Sequence, residues 1–221
     1  MTFTPSYSFY NDFDNCPHKA WRKYIKKDLP YEEKSEAQHK GTRMHVAMEN
    51  AIGKDMPLPE EWKSAQALVD LFRNMPDTYP LRVEYKLAMT MDGPCAYDDK
   101  AAWFRGKLDV AVMTPTSGAW IIDWKTGKVR EDRFELECQA LLLKTNHPRL
   151  DPIVGEYYWF AEGRPGQRYT LHPDDTFVTL RNKWVQMKQF EEKKDWPKRP
   201  NPLCPWCPVV DCDYNPKKHG K

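Results

Sequence analysis

Three strand-like stretches between Leu81 and Trp124 constrain the fold of this chain more than any other feature. Residues 81–87 alternate apolar and polar side chains, and residues 102–113 and 120–124 are rich in apolar and aromatic side chains. A Thr-Pro-Thr-Ser-Gly segment, whose composition is typical of a tight turn, separates the last two stretches. Strands that follow one another in this way pair in an antiparallel manner. The sequence therefore predicts a β-meander in the middle of the fold.

Segments with helical periodicity lie on both sides of this meander. The predicted elements, in chain order, are helices over about residues 6–25 (interrupted at Pro17), 35–52 and 59–75, the three strands, a helix over 132–144, strands over 153–161 and 167–171, and a helix from 174 to about 195. This order predicts the α/β class in an α+β arrangement, with a mixed central β-sheet flanked by helices. No internal repeat and no long linker interrupts the chain, so residues 1–221 are expected to form a single domain.

The balance of charges excludes a broad basic surface. Lys and Arg total 34 against 32 Asp and Glu, which gives a net charge of +2, so any contact with a nucleic acid has to come from a local patch. The sequence contains no apolar run long enough to span a bilayer and no recognisable leader. We therefore expect a soluble cytoplasmic protein that does not contact a membrane.

Asp109 and Asp123 are placed symmetrically about the turn of the predicted hairpin, because their midpoint is residue 116. Residues opposite each other on paired strands have Cβ atoms only about 4.5–5.5 Å apart, and the period of two places Lys125 on the same face as Asp123. Adjacent carboxylates repel unless a hard divalent cation such as Mg²⁺ or Mn²⁺ lies between them. The pattern predicts a phosphodiester-hydrolysis site, and its alternative is a surface hairpin with an ordinary salt bridge.

Two further residues are candidates for this site. His45 follows Gly41 by four residues on the second predicted helix, and its imidazole is a third candidate metal ligand. A single helical histidine is more often structural, so this assignment depends on the hairpin. Glu84 on the first strand is a candidate supporting acid, but the favoured interpretation of this residue is an exposed strand glutamate.

Taken in order, these motifs resemble those of the RecB-like branch of the PD-(D/E)XK nucleases. That family has a GxxxH helix, a GxxD strand and a DxK or ExK strand, and this chain has matching residues at 41–45, 106–109 and 123–125. The resemblance extends from about Ser6 to Cys212. It implies a restriction-endonuclease-like core. The implied activity is that of a metal-dependent DNA exonuclease that acts on DNA ends, including single-stranded ends. The implied setting is recombination, repair or replication, with a protein partner from one of these processes.

The resemblance also implies roles for particular residues. The implied metal ligands are His45, Asp109, Asp123 and the backbone carbonyl of Trp124, with Lys125 acting on the attacking water. A Gln-xxx-Tyr element of the family corresponds to Gln139, although Leu143 stands where the tyrosine is expected. Gln139 and Lys144 are the predicted substrate contacts. The alternatives to an exonuclease are a catalytically silent DNA-binding or adaptor module and a structure-specific endonuclease.

Four cysteines form a second constellation near the two ends of the chain. Cys204, Cys207 and Cys212 lie in a proline-rich segment that cannot form an ordinary helix or sheet. Cys16 is the natural fourth ligand of a closed four-thiolate site. The residues around Cys16-Pro17 resemble those of RecB-like nucleases that carry a four-iron four-sulfur (4Fe-4S) cluster, and Zn²⁺ is the alternative occupant.

The cluster implied by this resemblance would join residues 1–30 to residues 197–216 as a four-Cys metal centre. Residues 217–221 are expected to form a disordered tail. The two remaining cysteines, Cys95 and Cys138, are expected to be buried structural thiols.

Overall fold

A mixed β-sheet forms the centre of the compact unit that spans Lys34–Thr176. We describe a computed structural model, which covers residues 3–30, 33 and 35–219. Within these residues the sheet has seven strands: β1 (Leu81–Met89), β2 (Pro94–Cys95), β3 (Phe104–Met113), β4 (Ala119–Lys125), β5 (Ile153–Trp159), β6 (Arg164–Pro165) and β7 (Tyr169–Thr170).

The strands lie in the order β2-β1-β3-β4-β5-β6, and β7 also pairs with β5. Strands β1, β3 and β4 form the predicted antiparallel meander, whereas β4 and β5 are parallel. Parallel neighbours need a crossover connection, and the helix α5 (Arg133–Asn146) provides it. The prediction of a mixed central sheet with flanking helices is confirmed.

The helices α3 (Glu36–Gly53) and α4 (Gln66–Arg73) cover one face of this sheet, and α5 covers the other. A capping box between Ser35 and Gln38 fixes the start of α3, since each side chain bonds to the backbone N–H of the other residue. Residues of α3 and α4 pack with side chains of β3, β4 and β5 in one buried cluster that includes Met44, Met48, Phe72, Ile122 and Trp124.

The alternation of faces along β1 inverts at Glu84. Val83 packs against the cluster under α3 and α4, whereas the hydroxyl of Tyr85, two residues on, lies 3.0 Å from Nε2 of His147 at the end of α5. In a regular strand these residues would share a face. Glu84 has φ of 50°, a left-handed conformation that side-chain-bearing residues rarely adopt. The regular strand predicted over residues 81–87 is therefore wrong at this residue.

The second compact unit comprises Met1–Glu33 and Phe177–Lys221. It contains α1 (Tyr7–Asn15), α2 (Pro17–Ala20), which continues into a π-helical turn (Trp21–Lys26), and most of α6 (Pro173–Lys193), which begins in the other unit. Aromatic rings of the two chain segments pack together, as Phe13 and Trp21 do against Trp196. Asp12, buried beside them, is paired with Lys19 and Lys23.

Several predicted bounds differ from the structure. The helix predicted over residues 59–75 is a 3-10 turn (Glu60–Ala65) followed by α4. Pro216–His219 form a 3-10 turn that is fixed by the buried Asn215 side chain, where the sequence suggests a disordered tail. Residues 220 and 221 of that tail lie outside the described residues. Cys138 is buried as expected, but Cys95 is only half-buried on the short strand β2.

None of the helices in the described residues combines the length and apolarity needed to cross a lipid bilayer.

Met48→Ala is expected to destabilise the protein by about 2–5 kcal/mol, because Met48 is fully buried and its truncation leaves a cavity under α3. Val46→Ala is the matched control on the same helix. Val46 is 50% exposed, so its truncation should change the free energy of unfolding by less than about 0.5 kcal/mol. Urea unfolding of the two variants measures the difference, and equal effects would contradict the packing described for α3.

Candidate active site

Three candidate metal ligands converge from three different elements: His45 on α3, Glu84 on β1 and Asp109 on β3. Nδ1 of His45 lies 3.2 Å from Oε1 of Glu84 and 3.1 Å from Oδ1 of Asp109. One ligand atom from each residue lies within 4.8 Å of the other two, and no other group of three or more His, Cys, Asp or Glu in the described part of the chain does this.

The structure thereby corrects the favoured interpretation of Glu84 as an exposed strand glutamate. Its side chain is only 13% exposed, and it contacts both His45 and Lys107. The left-handed backbone at Glu84 accompanies the turn of β1 from one face to the other. It coincides with the single register position, Glu84 opposite Asp109, that is absent from the β1–β3 ladder. No periodic pattern in the sequence signals such an inversion, which is why sequence reasoning undervalued this residue.

Asp109 and Asp123 lie where β3 and β4 stop pairing. The β3–β4 ladder ends at Val110 and Ile122, so the next residue on each strand is one of the two aspartates. The backbone N–H of Trp124 donates to Oδ2 of Asp109 at 2.8 Å in place of a ladder bond. Because the N–H and C=O of one residue point to the same side of a strand, the carbonyl of Trp124 also points towards β3.

Asp123 contacts two of the predicted site residues. Nε2 of Gln139 donates to Oδ1 of Asp123 at 2.7 Å, and Nζ of Lys125 lies 2.6 Å from Oδ2. Gln139 thus lies at the carboxylates, but Lys144 does not. The ammonium of Lys144 donates to the carbonyl of Leu150 at 2.8 Å, further along α5. Leu143, at the position of the family tyrosine, is fully buried.

The buried carboxylate and imidazole have strongly shifted pKa values. Asp109 is 4% exposed, and burial together with the negative charge of Asp123 raises its pKa to about 6, against the opposing influence of His45. Burial alone would lower the pKa of His45, but its bonds to Asp109 and Glu84 outweigh burial and raise this pKa to about 10. The imidazole is therefore protonated between two carboxylates.

Glu135 on α5 is a site residue that the sequence did not reveal. Its carboxylate lies 2.9 Å from Nζ of Lys125 and accepts a hydrogen bond from the Tyr157 hydroxyl at 3.1 Å. Burial and the charge of Asp123 raise the pKa of Glu135 to about 7 despite the neighbouring ammonium. The sequence contains one indication of this role: Glu135 precedes Gln139 by four residues, and positions four apart share a helix face.

This donor set fits a hard divalent cation. Two carboxylates and an imidazole lie within reach of one ion, and the charge of a second buried aspartate, Asp123, acts on Asp109. Oxygen-rich sites of this kind suit Mg²⁺ and Mn²⁺. The proton that His45 holds between Asp109 and Glu84 supplies the kind of positive charge that such an ion would provide, and a bound cation would replace it.

The four cysteines predicted as ligands lie together in the other compact unit. Cys16, Cys204, Cys207 and Cys212 line one cavity of about 200 Å³. The backbone N–H of Arg199 donates to Sγ of Cys16 at 3.5 Å, and that of Asn201 donates to Sγ of Cys204 at 3.4 Å. Cys95 and Cys138 belong to the unit that carries the sheet, so they are not part of this group.

Comparison with known proteins gives one family. A family model described as the PD-(D/E)XK nuclease superfamily matches residues 4–212. The crystal structure of a candidate exonuclease from Eubacterium rectale superposes with a TM-score of 0.57 at 12% identity, over 100% of this chain and 89% of that protein. The crystal structure of SSO0001 has a TM-score of 0.46 at 13% identity, over 96% and 87% of the two chains. No curated protein sequence matches the chain significantly.

The raised pKa of Glu135 predicts a pH dependence of stability. A carboxyl group whose pKa is raised on folding stabilises the protein most below its ordinary pKa, and this contribution is lost as the pH rises through about 7. In chelator, the free energy of unfolding of the parent should therefore fall as the pH rises from about 4 to about 8. The fall should be on the order of 1–3 kcal/mol larger in the parent than in Glu135→Gln, which has no carboxyl group at this position.

Urea unfolding at a series of pH values measures this difference. Glu60→Gln, at an exposed position, is the matched control and should leave the pH profile of the parent unchanged. A Glu135→Gln profile parallel to that of the parent would mean that Glu135 does not titrate in this range.

Proposed function

The chain belongs to the PD-(D/E)XK nuclease superfamily, and from this premise we propose that it is a Mg²⁺- or Mn²⁺-dependent DNA exonuclease that hydrolyses phosphodiester bonds at DNA ends. The observation that carries the proposal is that the His45–Asp109 pair and the Asp123–Lys125 pair are neighbours, since the Trp124 N–H bonds to Asp109 and the charge of Asp123 acts on Asp109. A catalytically silent DNA-binding or adaptor module has no chemical need for buried carboxylates beside a buried ammonium, which disfavours that alternative.

His45, Asp109 and Asp123 would hold the cation, with Glu84 and the carbonyl of Trp124 as further ligands. A bound divalent cation supplies an activated water and stabilises the negative charge that builds up on the phosphate. Gln139 holds Asp123 in place through its amide, and the N–H of Trp124 does the same for Asp109. These bonds fix both carboxylates before substrate arrives.

Lys125 is proposed to orient the attacking water as a charged donor. Burial tends to lower its pKa, but the negative charges of Asp123 and Glu135 prevail and raise the pKa well above its ordinary value. The side chain therefore keeps its proton at physiological pH. A protonated ammonium donates hydrogen bonds to a water or to a phosphate oxygen, and it lowers the energy of the transition state by its charge.

Action on ends rests on the likeness to the Eubacterium rectale protein, whose name describes an exonuclease, and on the RecB-like motifs. The proposed setting is DNA recombination, repair or replication, and a protein partner from these processes is part of the proposal. A structure-specific endonuclease is the second candidate. Covalently closed circular DNA separates the two, because only an endonuclease can cut a substrate that has no ends.

We also propose that the four-cysteine cavity holds a 4Fe-4S cluster, joining residues 1–30 and 197–216 within a single nuclease domain of residues 1–221. Four thiolates on one Zn²⁺ lie about 3.8 Å apart, given Zn–S distances of about 2.3 Å in a tetrahedron. Among the described residues, no three cysteine sulfurs all lie within 4.8 Å of one another. Thiolates that bind separate irons of a cluster are held further apart. The spacing supports the cluster over zinc.

Asp123→Asn and Lys125→Ala are each expected to lower the rate of DNA hydrolysis by about 100- to 1,000-fold, because both residues act on the charge of the transition state. Gel analysis of end-labelled single- and double-stranded DNA measures the rate. Asp77→Asn, on an exposed turn, is the matched control and should retain full activity. Undiminished hydrolysis by folded Asp123→Asn protein would refute the assignment of the active site.

Hydrolysis should require Mg²⁺ or Mn²⁺ and should not be supported by Ca²⁺, whose larger radius and flexible coordination orient the water poorly. The same assay in chelator, and after addition of each ion, tests this expectation. Full turnover in chelator would exclude a two-carboxylate metal enzyme.

Cys16→Ser is expected to lose the metal centre and to lower the melting temperature, because thiolate ligation contributes to folding. The parent protein, purified without oxygen, should be brown with stoichiometric iron. Cys95→Ser is the matched control and should keep both iron and colour, since Cys95 is not in the cavity. Stoichiometric zinc without iron would favour the zinc alternative, and an unchanged metal content in Cys16→Ser would remove Cys16 from the site.

A further inference from the structure

A row of cations extends from the candidate active site along β1 and β3. Lys86 and Lys107 are directly opposite each other in the register of the two strands, and Arg105 lies opposite Ala88, two residues further on. Directly opposed residues share a face of the sheet, and side chains alternate along each strand. The three cations therefore lie on one face, and we call them the cationic strip (Lys86, Arg105 and Lys107).

This face is the one opposite α5, and α3 and α4 pack on its other end, where Val83, Val110 and Val112 join their apolar cluster. A Cβ atom on Gly106 would lie 2.8 Å from Cδ1 of Leu142 on α5, so Gly106 faces that helix. Its neighbours Arg105 and Lys107 consequently face away from α5. Lys86 and Lys107 are both exposed. The strip is thus open to a ligand.

The charges of the strip are only partly neutralised within the protein. Like charges opposite each other on paired strands destabilise a sheet, and Lys86 and Lys107 are such a pair. Lys107 has an ion pair with Glu84. Among the described residues, neither Lys86 nor Arg105 forms an ion pair with a carboxylate, and the partner of both is the ring of Tyr97.

Lys86 and Arg105 are instead held by the ring of Tyr97. Nζ of Lys86 lies 5.7 Å from the ring centroid and Cζ of Arg105 lies 5.5 Å from it. A cation–π contact restrains a cation without cancelling its charge, as a carboxylate would. Arg105 also donates to the backbone carbonyl of Tyr97 at 3.4 Å, which fixes its side chain further. The arrangement keeps two positive charges ordered and available to an anion.

The strip runs away from Asp109 along β3. At about 3.4 Å per residue, Lys107 and Arg105 lie about 7 Å and about 14 Å along β3 from Asp109. Resting on the proposed function, we propose that the cationic strip binds the backbone phosphates next to the cleaved bond and thereby guides one extended single strand of nucleic acid to the group of His45, Glu84 and Asp109, which Lys107 reaches through its ion pair with Glu84.

A single strand is favoured because the strip follows one pair of β-strands and tracks one backbone. Asp109 and Asp123 are each 4% exposed, so the phosphate has to enter a recess, which a freely splayed strand does more easily than one held in a duplex.

The test measures binding of a short labelled single-stranded DNA by fluorescence anisotropy in chelator, where the substrate stays intact. Lys86→Ala combined with Arg105→Ala should raise the Kd by about tenfold. Loss of two phosphate contacts should also lower the slope of log Kd against log salt by about 1.4, at about 0.7 per contact for a single strand. Circular dichroism checks that the variant is folded.

Lys54→Ala combined with Lys63→Ala is the matched control, since it removes the same charge from exposed positions outside the strip. Its Kd and salt slope should equal those of the parent. Equal changes of Kd in the two double variants, or no change in either, would refute the proposal that the cationic strip binds nucleic acid. If loss of Lys86 and Arg105 weakens binding of a blunt-ended duplex as much as binding of the single strand, the proposed preference for a single strand is refuted.

The outcomes also separate the strip from the proposed function. If the parent hydrolyses DNA in a manner that depends on Asp123, and loss of Lys86 and Arg105 changes neither Kd nor salt slope, the strip is wrong and the nuclease assignment stands. If loss of the two cations weakens DNA binding but the parent hydrolyses no DNA, the strip stands and the enzyme assignment is wrong. A parent that neither binds nor hydrolyses DNA refutes both.

Discussion

The concentration of buried carboxylates where β3 and β4 separate is the constraint on which the rest of the site depends. Two aspartates at the end of a β-ladder repel each other, and burial makes each charge more costly. The protein compensates for them with groups from several elements. His45 comes from α3, Lys125 and the Trp124 N–H come from β4, and Gln139 comes from α5. Each element is positioned by a core that is otherwise apolar.

The apolar core and the polar site are built from the same strands by alternation. On β4, Ile122 and Trp124 pack under α3 and α4, whereas Asp123 and Lys125 point towards α5. The carboxylates are therefore anchored by their own neighbours in sequence. Any change that shifts β4 by one residue would exchange the two faces, burying charge in the core and exposing large apolar side chains. The strand register that buries the apolar side chains is therefore also the register that places the site residues correctly.

The compact unit that contains Cys16, Cys204, Cys207 and Cys212 is held together less by apolar packing than by polar contacts. Its C-terminal segment contains few apolar side chains that are buried, chiefly Trp196 and Val209, and its remaining order comes from polar contacts. Asn201 donates to the carbonyl of Asn15, and backbone N–H groups donate to the sulfurs of Cys16 and Cys204. These contacts hold the C-terminal segment against the segment that carries Cys16.

The sequence by itself determined the order of the long helices and strands, the meander and the alignment of Asp109 with Asp123, because these features follow from local periodicity and the length of one turn. The short motifs around His45, Asp123 and Lys125 also indicated the family that the comparisons show. Only the tertiary structure decided the roles of Glu84 and Glu135. A left-handed residue inside a strand reverses every side chain beyond it, and no local pattern records that reversal. Glu135 meets Lys125 only after the crossover helix has folded back on the sheet, a contact set by packing between distant segments rather than by neighbours in the chain.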